Sequence, residues 1–231
     1  MRTMAQEIID NHHVRLVDRV GDLLQAGATS ARFAVGYLFL DGLIPLRTHI
    51  ARLDEVCILI GNVVNRLPDE QIRQAADSRA RGGEDLVLDQ ADVASGLRDK
   101  HDWVAVETAL NLRETIAELP RDLATRHLLL TLAGRIADGG LKIRLYAHGR
   151  IHAKSALFRY PEGNAYAAGV AIVGSSNLTL AGAPQPTEMN VMVNAPGSVR
   201  ELERWYDGLW NQSQDFHREL FDELGRSWAL E

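Results

Sequence analysis

The run Gly149-Arg150-Ile151-His152-Ala153-Lys154-Ser155-Ala156-Leu157-Phe158 restricts the fold of this chain more than any other stretch. It is short and mostly apolar, as a buried β-strand is, yet it carries an imidazole and an ammonium two residues apart. The strand period of two puts His152 and Lys154 on one face. An ammonium on an inner strand face is costly unless something anionic meets it. A second apolar run, Gly169-Val170-Ala171-Ile172-Val173, leads into Gly174-Ser175-Ser176-Asn177, which adds hydroxyls and an amide. A nucleophile or base, a cation and neutral donors are the groups that handling a phosphate requires.

Other strands and helices surround this pair. Residues from about Gln6 to Ala26 carry Ile8, Ile9, Val14, Leu16, Val17, Val20, Leu23 and Leu24 at three- and four-residue spacing, which predicts an amphipathic helix ended by Gly27. Ser30 to Leu40 reads as a strand, Asp41 to about Arg52 as a helix, and Val56 to Ile60 as a second strand. Strand, helix and strand of these lengths predict a parallel βαβ unit. From Leu67 to about Asp138 charged and polar residues dominate, which predicts a helical insertion within a single domain spanning 1–231. Its clearest helix runs from about Trp103 to Leu119. The basic residues Arg73, Arg79, Arg81, Arg98 and Lys100 are interleaved with acids and read as a solvated face. The sheet resumes at Leu141–Tyr146, continues through the His152 strand and a strand over 168–173, joined by a hairpin turn at Pro161–Asn164, and adds Met189–Val193. A helix bearing Leu202, Trp205, Tyr206, Leu209 and Trp210 follows, with Trp205 and Trp210 read as core. A further amphipathic helix lies between Phe216 and Leu230.

Composition bounds the function. The formal charge of −6 over 231 residues argues against coating nucleic acid by bulk electrostatics, while leaving room for a local basic cleft. Cys57 is the only cysteine, so neither an intrachain disulfide nor a cysteine metal site is expected. With no apolar run near the roughly 20 residues that span a bilayer and no signal-like start, a cytoplasmic protein with no membrane partner is expected.

The ordered set His152-x-Lys154, Gly174-Ser175-x-Asn177 and Glu188 resembles the phospholipase D superfamily motif, H-x-K-x4-D followed by G-S-x-N. Ala31-Arg32-Phe33-Ala34-Val35-Gly36-Tyr37, Ile60-Gly61-Asn62 and Trp205-Tyr206-x-x-Leu209-Trp210 are similar to the phospholipase D-like domain at the N-terminus of certain bacterial Swi/Snf-type helicases. The resemblance implies an α/β fold with a mixed, mainly parallel sheet flanked by helices. It also implies metal-independent phosphodiester cleavage through a phosphohistidine, with no cofactor. By position, His152 would be the nucleophile, Lys154 and Asn177 would hold phosphoryl oxygens, Ser175 would assist, and Glu188 would orient the imidazole.

The motif departs from the family pattern at Arg159, which stands where the aspartate is usual. It also occurs once. Single-motif members of that superfamily pair two chains so that each supplies one histidine, which implies a homodimer with its two-fold axis near His152. The implied substrate is nucleic acid, DNA ahead of RNA. The implied setting is a nuclease or nuclease-like module of a helicase or restriction system, with a helicase region expected beyond Glu231. The alternative is a catalytically silent nucleic-acid-binding or dimerisation module that keeps the phosphate pocket; a phospholipid hydrolase ranks third. Asn11-His12-His13 lacks a third metal ligand in reach, and His148 lies close enough to the motif to line the cleft.

Overall fold

Alternation along the strands decides which helices pack on which side of the sheet. The computed structural model describes residues 7–10, 13–61, 99–149, 151–178 and 188–230. Among them, eight strands form one sheet: β1 (Glu7–Ile9), β2 (Ser30–Val35), β3 (Glu55–Gly61), β4 (Leu141–Tyr146), β5 (Lys154–Arg159), β6 (Val170–Gly174), β7 (Asn190–Val193) and β8 (Gln214–Asp215). Their spatial order is β1-β7-β6-β5-β2-β3-β4-β8.

Ala31, Phe33 and Val35 of β2, Val56, Ile58 and Ile60 of β3, and Ala156 and Phe158 of β5 enter one large core. Covering that face are α1 (Leu16–Gln25), α3 (Asp99–Glu118), α4 (Leu123–Ala137) and α6 (His217–Gly225), with Leu128, Leu129, Leu220 and Leu224 fully buried. The intervening residues Ala34, Cys57, Leu59, Leu157 and Ala171 face the other side. There they meet Tyr206 of α5 (Pro196–Asn211), whose hydroxyl donates to the Cys57 carbonyl at 3.2 Å. Burial pushes the Cys57 thiol up to about 11, which leaves it protonated and chemically quiet. Each large side chain removed from water in these layers contributes roughly 1.5–3 kcal/mol of transfer free energy.

The expected mixed sheet flanked by helices is present, and β2, β3 and β4 pair in parallel as the βαβ reading requires. "Mainly parallel" needs correction: of the seven pairings among described residues only those two are parallel. The reason is local. β5 and β6 form a hairpin whose turn uses Gly163 and Gly169 at positive φ, and β7 returns antiparallel beside β6.

The expected helix over Gln6–Ala26 is shorter. Ile8 points outward and Ile9 is fully buried as β1 pairs with β7. Asp10 then accepts from the His13 backbone N–H at 2.8 Å and turns the chain into α1. The strand expected to reach Leu40 stops at Val35. The Asp41–Arg52 helix is instead a 3-10 turn, Asp41–Leu46, followed by α2 (Arg47–Ile50). Pro45, inside that turn, has no N–H for an α-helical bond. The helix read from Trp103 to Leu119 corresponds to α3, which starts four residues earlier and ends at Glu118, whereas residues 62–98, including Arg73, Arg79, Arg81 and Arg98, lie outside the described residues.

Candidate active site

Parallel strands β2, β3 and β4 end together at Val35, Gly61 and Tyr146, and the motif residues gather at that carboxyl edge. Open α/β sheets place ligands at this edge because connecting loops diverge there. β5 runs the opposite way, so its first residue, Lys154, arrives where β2 finishes. Lys154 stands opposite Gly174 in the β5–β6 register, and Gly174 stands opposite Asn190 in the β6–β7 register. One row across three strands therefore carries the ammonium, the glycine of the G-S-x-N turn and a buried amide.

Two glycines open the approach. A Cβ on Gly36 would lie 3.0 Å from the Ile151 carbonyl oxygen and 3.7 Å from Lys154 Cε. One on Gly61 would lie 3.0 Å from both Ile151 N and Ile151 Cβ. With neither present, the segment ahead of β5 crosses the ends of β2 and β3 in close contact, and Ile151 is buried. The expectation that His152 lies within the strand is therefore corrected. β5 begins at Lys154, and His152 precedes it, exposed, on the segment that arches over the two glycines.

The turn after β6 is fixed by reciprocal bonds to β7. Ser175 N–H donates to the Met189 carbonyl and Met189 N–H to Ser175 Oγ, both at 3.2 Å. Ser176 N–H donates to Asn190 Oδ1 at 3.2 Å, and Asn190 Nδ2 donates to Ser176 Oγ at 2.7 Å. Ser175 is left exposed, while Ser176 and Asn190 are 2% and 1% exposed, so the serine that packs is not the one that faces the cleft. Asn177 is half-buried, and its shielded Oδ1 has no hydrogen-bond partner among the described residues. Beneath lies a cavity of about 20 Å³ lined by Lys154, Ser155, Ser176 and Asn190 among apolar residues of α1 and β2.

His152, Lys154, Ser175 and Asn177 thus share one edge, and Glu188, two residues before Asn190, lies beside the Ser175–Met189 pairing. The expected contact between Glu188 and the imidazole is not made: among the described residues no hydrogen bond joins Glu188 to His152. Arg159 is at the far end of β5, ion-paired with Glu203. His148, just past β4, is exposed with its ring edge-on to Tyr146 at 5.6 Å. Asn11 and His12 lie outside the described residues, and His13 Nδ1 is 2.6 Å from Asp10 Oδ2. Of the two tryptophans expected in the core, Trp210 stacks on Tyr206 at 5.7 Å, whereas Trp205 is 37% exposed.

Asn190 is the residue that sequence reading missed. Its signal was an amide at an inward position of an otherwise apolar strand, two residues after Glu188.

A mixed sheet thus carries an anion-suited cluster at the carboxyl edge of its parallel strands. Residues 99–210, which contain both motif stretches, match the family model described as cardiolipin synthase, phospholipase D-like domain. Nuc from Salmonella typhimurium, a phospholipase D family member, superposes with a TM-score of 0.50 at 14% identity, over 91% of this chain and 97% of its own. Polyphosphate kinase from Porphyromonas gingivalis gives a TM-score of 0.47 at 14% identity, over 91% of this chain and 26% of its own. No curated protein matches by sequence. Residues 99–210 are thus similar to the phospholipase D-like family, and the chain has a phospholipase D-like fold. Among the described residues no helix is long and apolar enough to cross a membrane.

Proposed function

We propose that this chain is a metal-independent phosphodiesterase acting on nucleic acid, DNA in the first instance, through a site shared between two copies. The observation that carries the reading is the register row Lys154–Gly174–Asn190, which sets Lys154 beside the strand that leads into the Ser175–Asn177 turn and two residues after the exposed His152. A phosphodiester is already anionic. Attack moves charge onto its equatorial oxygens, and donors held in place beforehand stabilise that change without reorganising.

In this mechanism a neutral His152 imidazole nitrogen attacks phosphorus as the P–O bond to the leaving group breaks. Lys154 and Asn177 Nδ2 hold the phosphoryl oxygens, and Ser175 donates from the exposed side of the turn. The leaving oxygen takes its proton from the imidazolium of the second copy's histidine. That histidine, now neutral, removes a proton from water as the water attacks the phosphohistidine, releasing phosphate monoester and free His152. Glu188 reaches the far N–H of the imidazole when substrate draws His152 inward, fixing its tautomer. The helicase-type resemblance favours a nuclease module of a larger DNA-processing protein.

The test is turnover in excess EDTA on labelled single- and double-stranded DNA, RNA, a chromogenic phosphodiester and phosphatidylglycerol vesicles, with His152→Ala alongside. EDTA-resistant cleavage of DNA that falls at least about 1,000-fold in His152→Ala is expected. A requirement for Mg²⁺, or activity untouched by the substitution, overturns the mechanism. Cleavage confined to the vesicles overturns the substrate assignment.

A further inference from the structure

We propose that Asn190 is a positioning residue that holds the phosphate-binding turn, an inference that rests on the site reading above and extends it to a residue outside the motif. Asn190 opens β7 and is 1% exposed, so its amide is buried and every polar atom needs a partner. Its Oδ1 accepts from Ser176 N–H at 3.2 Å, and its Nδ2 donates to Ser176 Oγ at 2.7 Å and to the Ile9 carbonyl at 3.4 Å. One side chain thereby grips the middle residue of Ser175-Ser176-Asn177 from both its backbone and its hydroxyl. The same amide ties the turn to the edge strand β1.

Gly174 makes this grip feasible. A Cβ there would overlap Asn190 Oδ1 and stand 2.5 Å from the Met189 carbonyl oxygen and 2.6 Å from Asn190 Cα. The glycine of G-S-x-N therefore has a packing cause in this chain: it lets the amide of the next strand close against the turn. Ser175 and Asn177 flank the gripped residue, so their donors move when Ser176 moves. Displacing catalytic donors by about 1 Å costs on the order of 100-fold in rate.

Three variants test the assignment: Asn190→Ala, Ser176→Ala and Ser176→Thr. Each is read by kcat and KM for a chromogenic phosphodiester and by the equilibrium affinity of orthovanadate, at a temperature where circular dichroism shows the variant folded. Asn190→Ala is expected to lower kcat at least tenfold with KM changed less than threefold, and to weaken vanadate binding at least tenfold. Ser176→Ala removes one bond of the grip and is expected to lose about threefold. Ser176→Thr keeps the oxygen, and the cavity of about 20 Å³ beside it accepts the added methyl, so values within twofold of wild type are expected.

Wild-type kcat and vanadate affinity in folded Asn190→Ala overturn the proposal. If Asn190→Ala does not fold, equal losses in Ser176→Ala and Ser176→Thr overturn it, and loss in the first with recovery in the second supports it. Should the wild type bind vanadate without turning over any phosphodiester, weaker binding by Asn190→Ala still establishes the grip while the catalytic reading falls. A wild type that neither binds nor turns over removes both.

Discussion

Arg159 Nε lies 2.7 Å from Glu203 Oε1, joining the last residue of β5 to α5. Lys154 is the first residue of the same strand, and five residues at about 3.3 Å each set the two roughly 17 Å apart. The residue standing at the family's aspartate position therefore works on helix packing, remote from the phosphate end. Arg159→Asp is expected to leave turnover within about twofold of wild type. Placing a second carboxylate against Glu203 is expected to cost about 1 kcal/mol of stability, measurable by urea denaturation. A tenfold gain in activity on restoring the aspartate would refute this placement.

Gly36 and Gly134 make opposite predictions for the same substitution. A Cβ on Gly36 meets the Ile151 carbonyl oxygen at 3.0 Å and Lys154 Nζ at 3.9 Å, so Gly36→Ala pushes the His152 segment away from the end of β2. A fall in kcat of roughly tenfold to 100-fold is expected, with the protein still folded. Gly134 lies inside α4 with nothing within 4 Å of its would-be Cβ. Gly134→Ala is expected to raise stability by up to about 1 kcal/mol and leave kcat unchanged. Parallel measurement of both variants separates site geometry from general tolerance of alanine.

Legibility followed the range of the interactions. β3 was readable as an apolar run buried on both faces, β2 and β4 by alternation that buries Ala31, Phe33 and Val35 and Leu141, Ile143 and Leu145, and the hairpin from β5 to β6 announced itself through Pro161 and Gly163. The candidate cluster was readable where Lys154 opens one strand and Ser175 and Asn177 lie in one turn. β1 was not: Ile8 and Ile9 continue the spacing of Val14 and Leu16, and what makes them a strand is β7, more than 180 residues away. The position of His152 outside β5 was hidden for a similar reason, since it depends on Gly36 and Gly61 being bare beneath Ile151. Asn190 became visible only once β6 and β7 were in register.

Glu223 gives the fold an acid-sensitive tie. Its buried carboxylate accepts from Arg113 Nε at 2.6 Å and Nη2 at 2.9 Å, joining α6 to α3, and also meets Arg226. The Arg113 hydrogen bonds hold its pKa below the ordinary carboxylate value, against the opposing effect of burial. A depressed folded-state pKa contributes stability that is fully present above the unfolded value, near 4.5, and is lost as pH falls through the folded value. Glu223→Gln is expected to cost about 1 kcal/mol at pH 7, below the usual range for charged hydrogen bonds because Arg113 is half exposed. The difference from wild type is expected to shrink below about pH 4. Denaturation midpoints of both proteins across pH 3–7 test this; a difference independent of pH would show that the carboxylate charge is not what matters.

The single His152 makes the proposed chemistry depend on association. One histidine cannot both hold the phosphoryl group and protonate the leaving oxygen in the same step, so activity requires two intact copies. Wild type is therefore expected to scatter light as a dimer, with specific activity falling on dilution below the dissociation constant. Mixing with His152→Ala gives a sharper test. If equal amounts exchange subunits freely, about a quarter of the dimers carry two histidines, so total activity is expected near a quarter of that of a wild-type preparation at the same total chain concentration. Sites complete within one chain would instead give about half. That value, or a monomer active at every concentration, would move the proton donor into the same chain, where His148 beside Tyr146 is the imidazole nearest in sequence to His152.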